Sequence, residues 1–180
     1  MSLLEIATAI DSTSLSTSIK TISWIVPLVQ CLHILMVGVV FVSILMLTLR
    51  VLGRARTDEP LALTWNRFAP FLWSGIVVMI ITGVLLVISE PIRELMALSF
   101  RLKMLLLALG IVSAAAFGRH VQAAVVVTGG ELPVSTGVRA ASVATLLLWV
   151  AIIILGRTIA YDDSVWGSWS PAVLQRGGAL

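Results

Sequence analysis

Charge is scarce in this sequence. Only 12% of its 180 residues are Asp, Glu, Lys or Arg, about half the share that a soluble domain carries. No soluble catalytic domain can be fitted in beside its hydrophobic segments. A disulfide framework is excluded as well, because the single cysteine, Cys31, lies inside an apolar run. Histidine is limited to His33 and His120. The N-terminus lacks the basic region and small-residue cleavage site of a signal peptide, which predicts that the first helix is retained.

Apolar residues fill the space that charge leaves. They make up 59% of the chain, and the mean hydropathy is +1.08. One small core cannot bury that much apolar surface, so lipid must solvate the rest. Crossing ~30 Å of hydrocarbon takes about 20 helical residues, and four segments qualify, at about residues 22–50, 68–89, 98–127 and 138–160. A charged loop, a short turn at Glu90-Pro91 and a Gly/Pro-containing loop separate them. Short connections make consecutive helices antiparallel. The predicted fold class is therefore all-α, an integral membrane four-helix up-down bundle over residues 21–161.

Residues 1–20 are set apart as an amphipathic segment. Leu3, Leu4, Ile6, Ala7 and Ile10 fall on one helical stripe, which predicts a short interfacial helix. Residues 162–180 read as an interfacial tail, in which Trp166 and Trp169 suit the headgroup region. The formal charge of +3 and the pI of 9.8 do not point to nucleic acid, because the basic residues are scattered between apolar spans like loops beside a membrane. Arg50, Arg54, Arg56 and Arg67 form a dense cluster near helix ends. That cluster favours loops 1–2 and 3–4 in the cytoplasm and both termini outside.

An ionisable group deep in a span is costly and marks a site by default, and His33 is such a group. Neutral imidazole is also the commonest axial ligand of haem iron; the other expectation is a neutral histidine bonded to a neighbouring helix. A haem clamped by both histidines is disfavoured. Measured from the loop 1–2 and 3–4 side, His33 lies roughly 25 Å in from Arg50, whereas His120 is about 13 Å from the Gly129-Gly130 break. Copper is weakly served, since Cys31 points about 140° or more from either His33 or Met36 around the helix. Between Lys103 and Arg119 the helix is about 22 Å long, short of the hydrocarbon thickness. Either one charged end snorkels, or Lys103 sits within the bundle. Topology places Trp24, Arg101, Lys103, Arg157 and Tyr161 on one face, with His33 deeper beneath them and Gln30 one turn before it. Such a rim suits an amphipathic anionic ligand: a haem with its propionates, a porphyrin or a quinone headgroup.

Several motifs occur in order along the chain. Trp24-x-x-Pro27-x-x-Gln30-x-x-His33 opens the first helix, and Leu49-Arg50-Val51-Leu52-Gly53 closes it. Pro70-x-x-Trp73-x-Gly75 and Thr82-Gly83 mark the second, Phe100-x-x-Lys103 opens the third, and Gly156-Arg157-x-Ile159-Ala160-Tyr161 closes the fourth. From about Trp24 to Tyr161 the chain resembles the small four-helix bacterial membrane proteins around CopD, including uncharacterised relatives and, more distantly, HemJ-type protoporphyrinogen oxidases. In the HemJ-like proteins a helix-1 histidine and a lysine opening helix 3 are essential and haem b is bound; by position these are His33 and Lys103. Gln30 stands where uncharacterised relatives often carry an acidic residue, and Thr48 where an aspartate is expected. The HemJ-like histidines near the end of helix 1 are missing. These departures count against protoporphyrinogen oxidation and leave haem ligation by His33.

The expected function is a membrane b-type haem protein for electron transfer. His33 is the axial metal ligand, and Trp24, Gln30, Arg101, Lys103, Arg157 and Tyr161 complete the cofactor site. If it is an enzyme, it is a membrane redox protein or an oxidoreductase subunit. The alternatives are a cofactor-free accessory subunit of a larger membrane complex and a CopD-like copper uptake protein, with copper or quinone in place of haem. Partners are the lipid bilayer and possible further membrane subunits or copies of itself, with no nucleic acid. The expected location is the bacterial inner membrane, with periplasmic termini.

Overall fold

A computed structural model describes residues 2–128, 134–171 and 173. Four long helices form the bundle: α3 (Ile25–Val51), α4 (Leu61–Ser89), α6 (Leu98–Thr128) and α7 (Thr136–Thr158). Shorter helices decorate its ends: α1 (Leu3–Asp11), α2 (Ser14–Thr21), α5 (Pro91–Met96) and α8 (Asp162–Trp166). The described residues contain no strand. α3 packs between α4 and α7, and α6 closes the ring against the same two helices.

The long helices are apolar on every side, as helices solvated by lipid must be. In the most apolar stretch of each, the bundle itself buries only 28%, 28%, 17% and 11% of the residues in chain order. This is a multi-pass membrane protein by the length and composition of its helices. The interior is a narrow seam of Val40, Ile44, Leu72, Ile76 and Met79 between α3 and α4, joined by Trp149 and Ile152 of α7. Close approach depends on glycine. A Cβ at Gly75 would stand 2.8 Å from Val40 Cγ2, and one at Gly118 only 2.4 Å from the Trp65 ring. Small residues are what let membrane helices approach in this way. Gly38 meets nothing within 4 Å and serves no such contact.

Helix ends follow local chemistry. α3 stops in a Schellman turn: Gly53 N–H reaches Arg50 O at 3.0 Å and Arg54 N–H reaches Leu49 O at 2.9 Å, with Gly53 at φ 69°. α4 starts at Leu61, seven residues before the expected 68, with Pro60 at its N-cap. Counting apolar residues starts a span where the charges end, but the helix begins earlier, taking in Leu61 to Arg67. Ser135 caps α7 by accepting from Val138 N–H at 3.3 Å.

Both terminal segments are tied to the bundle. Residues 3–21 form two helices rather than one, and α1 lies against α5. Of the expected apolar stripe only Ala7 is fully buried; Leu3, Leu4 and Ile6 stay 39–40% exposed. Asp162 acts as a remote N-cap for α6. Its buried carboxylate accepts from Leu98 N–H (3.0 Å), Ser99 N–H (2.8 Å) and the Ser170 hydroxyl (2.7 Å). Trp166 donates its indole N–H to Ser99 Oγ at 2.8 Å, so it anchors the tail, while Trp169 remains 79% exposed. Residues 174–180 of the expected tail lie outside the described residues.

Candidate functional site

His33 lies eight residues into α3, half-buried against α4. Its Nδ1 is 2.9 Å from Thr82 Oγ1. Thr82 is itself buried, and its hydroxyl lies 2.8 Å from Val78 O and 3.1 Å from Met79 O, one turn back on α4. The hydroxyl has one hydrogen, and those carbonyls engage it, so its oxygen is left to accept from His33 Nδ1–H. That assigns the neutral tautomer in which Nε2 carries the lone pair. A hydrogen bond of this kind, from the ring nitrogen that faces away from a metal, fixes a ligating histidine's ring and raises its basicity. The next residue, Gly83, lies against the ring: a Cβ there would be in van der Waals contact, 3.4 Å from His33 Cε1.

The face above His33 gathers only part of the expected rim. Lys103 belongs to the bundle: its Nζ lies 3.5 Å from where a Cβ on Gly156 of α7 would be. Its ammonium is close enough to act electrostatically on both His33 and Glu94. Arg157 stacks over Tyr161, 5.7 Å from the ring centroid. Arg101 points along the surface and donates to Leu95 O at 3.3 Å. Trp24 is 62% exposed at the N-cap of α3, and Gln30 is exposed as well. Thus Lys103 lies within electrostatic reach of His33, whereas no described contact ties Trp24, Gln30, Arg101 or the Arg157–Tyr161 pair to the imidazole.

Glu94 and Thr82 were not among the expected site residues. Glu94 on α5 is largely buried, and that burial raises its carboxyl above the usual range, with Arg93 and Lys103 opposing the shift. A short amphipathic turn after Pro91 gave no hint that it would fold back over the bundle. Thr82 had a weak signal, a hydroxyl beside a glycine in an apolar span. Its pairing with His33 depends on how α3 and α4 are phased.

His120 lies in the opposite half of the bundle, on a cavity of about 300 Å³ between α3, α4, α6 and α7. Trp65, Phe117, Thr48, Ser142 and Thr145 share that lining. The two histidines therefore serve different regions. Cys31 is exposed and Met36 packs on the core, so neither joins His33. Among the described residues, no three His, Cys, Asp or Glu side chains are grouped to hold a metal ion.

Comparison of the chain with protein-family models, with curated proteins and with solved structures gave no match.

Proposed function

We propose that this chain is a membrane haem b protein for electron transfer, with His33 Nε2 as axial ligand and Lys103 as the cation facing the propionates. The observation that carries the proposal is the His33–Thr82 bond at 2.9 Å, which leaves the ligating nitrogen free while fixing the ring. The donor chemistry fits: neutral imidazole in an apolar span is a haem ligand. When bound, haem supplies one-electron chemistry. The chain's own part is to hold Nδ1 through Thr82, exclude water with the α3–α4 seam, and place a positive charge nearby through Lys103. The likeness to CopD-like and HemJ-like proteins agrees with this pair of residues. The departures at Gln30 and Thr48 count against porphyrinogen oxidation.

The proposed setting is a bacterial inner membrane, with the arginine-rich end in the cytoplasm and the His33 end towards the periplasm. The test is to purify the protein from cells supplied with haem and record its spectrum. A stoichiometric Soret band that shifts on reduction is the expected result. A colourless protein that co-purifies with other membrane subunits would replace this proposal with the accessory-subunit reading. Metal analysis of the same sample decides the copper alternative.

A further inference from the structure

We propose that the cavity beside His120 is a binding site for an anionic phospholipid, taking one acyl chain inside and holding the headgroup against Arg119, His120 and Arg139. The walls specify hydrocarbon. Trp65, Phe117 and Leu72 supply broad apolar surface, while Ala114, Ala116 and Ala141 supply the space. The hydroxyls in the lining are already engaged. Thr48 donates to Ser142 O (3.3 Å), Ser142 donates to Arg139 O (2.8 Å), and Ser113 pairs with Thr145 (2.7 Å), whose own hydroxyl lies 2.9 Å from Ala141 O. Among the described residues, His120 is the only titratable group in the lining. A charged group deep inside would find no counter-charge, whereas a chain would meet neutral walls. At about twice the ~150 Å³ of an engineered cavity that admits benzene, the space holds a length of chain rather than one small ring.

The mouth specifies an anion. Thr48, Trp65 and Val138 lie within about a turn of the ends of α3, α4 and α7, so the cavity reaches the arginine-rich end of the bundle. Arg119 adjoins His120 on α6, and Arg139 lies 60° around α7 from Ser142; both are exposed. On that face Glu59 already pairs with Arg56 and Arg67. None of the ion pairs among the described residues takes Arg54, Arg119 or Arg139. Unpaired arginines at a membrane surface recruit anionic headgroups, and here they stand beside an apolar slot. This inference does not depend on haem at His33, since the two sites lie in opposite halves.

Trp65 is a built-in reporter, being buried and in the lining. The full chain is reconstituted in phosphatidylcholine vesicles containing phosphatidylglycerol or phosphatidylcholine with brominated acyl chains. The signal read is the fluorescence lost in the protein but not in Trp65→Phe. Half-quenching is expected at a mole fraction of brominated phosphatidylglycerol at least tenfold below that of brominated phosphatidylcholine. Arg119→Gln and Arg139→Gln should each weaken that preference by about fivefold. Ala116→Leu or Ala141→Leu, both at exposed positions with little risk to folding, should abolish the saturable component. Equal quenching by the two lipids would overturn the proposal and make the cavity an ordinary lipid-facing crevice. So would quenching that survives both alanine-to-leucine variants, or no Trp65 quenching at all.

Discussion

At the end of the bundle that holds His33, small residues admit large polar side chains: Gly83 faces the imidazole and Gly156 faces the Lys103 ammonium. At the opposite end, Gly118 meets the Trp65 ring, and three alanines lie in a cavity wall beside it. Ala114, Ala116 and Ala141 are among the lining of a cavity that no described residue fills. Glycine opposite a long side chain makes a contact, whereas the alanines leave space beside large side chains such as Trp65 and Phe117. The composition of the two ends is similar, so the residue across the seam decides which outcome results. The ends differ in polarity as well. Ionisable groups (Glu94, Lys103, His33) come together beneath α5, whereas the cavity end relies on hydroxyls bonded to helix carbonyls and keeps its arginines outside.

The contrast can be broken most strongly at the closest contact. Gly118→Leu puts a side chain where Trp65 already lies 2.4 Å from the added Cβ, and overpacking of this kind costs about 1–3 kcal/mol or more. A large fall in the thermal midpoint in detergent is expected, with loss of the cavity end before the His33 end. Asp162→Ala comes next, because it leaves two amide N–H groups of α6 and the Ser170 hydroxyl without their acceptor. A loss of about 1–3 kcal/mol is expected in an unfolding titration, and Asp162→Asn should recover part of it.

Thr82→Val is a smaller perturbation, worth about 1 kcal/mol in stability, but it is specific to His33. Removing the acceptor for Nδ1–H should shift the spectrum or reduction potential of the haem-loaded protein, and Thr82→Ser should restore it. The smallest effect is a pH dependence at Glu94. Its carboxyl titrates higher in the folded protein than its ordinary value of 4.5, because burial penalises the anion. The folded state therefore holds the proton more tightly than the unfolded state. Stability should fall as pH rises from 4.5 through the raised folded value, and Glu94→Gln should flatten that slope. An unchanged slope in Glu94→Gln would assign the effect to another group.

Much of the fold was legible in the sequence because lipid demands long apolar helices, and runs of Val, Ile and Leu announce them. The start of α4 was not, since Thr64, Asn66 and Arg67 look like loop while lying in its first two turns. His33 stood out as an imidazole where charge is expensive. Its partner did not: Thr82 is 49 residues away, and only the packing of α3 on α4 brings the two together. Ala114 reads as a close-packing residue, yet it lines the cavity. Periodicity gives the face of a helix but not what stands across from it.

The most direct test of the central claim is a side-by-side absorption spectrum of the haem-supplied protein, His33→Ala and His120→Ala, each at matched protein concentration. The Soret band should be lost in His33→Ala and retained in His120→Ala, because only the first removes the nitrogen that Thr82 leaves free. A band that survives in His33→Ala, or one that disappears in His120→Ala, would contradict the assignment of the site to the His33 end.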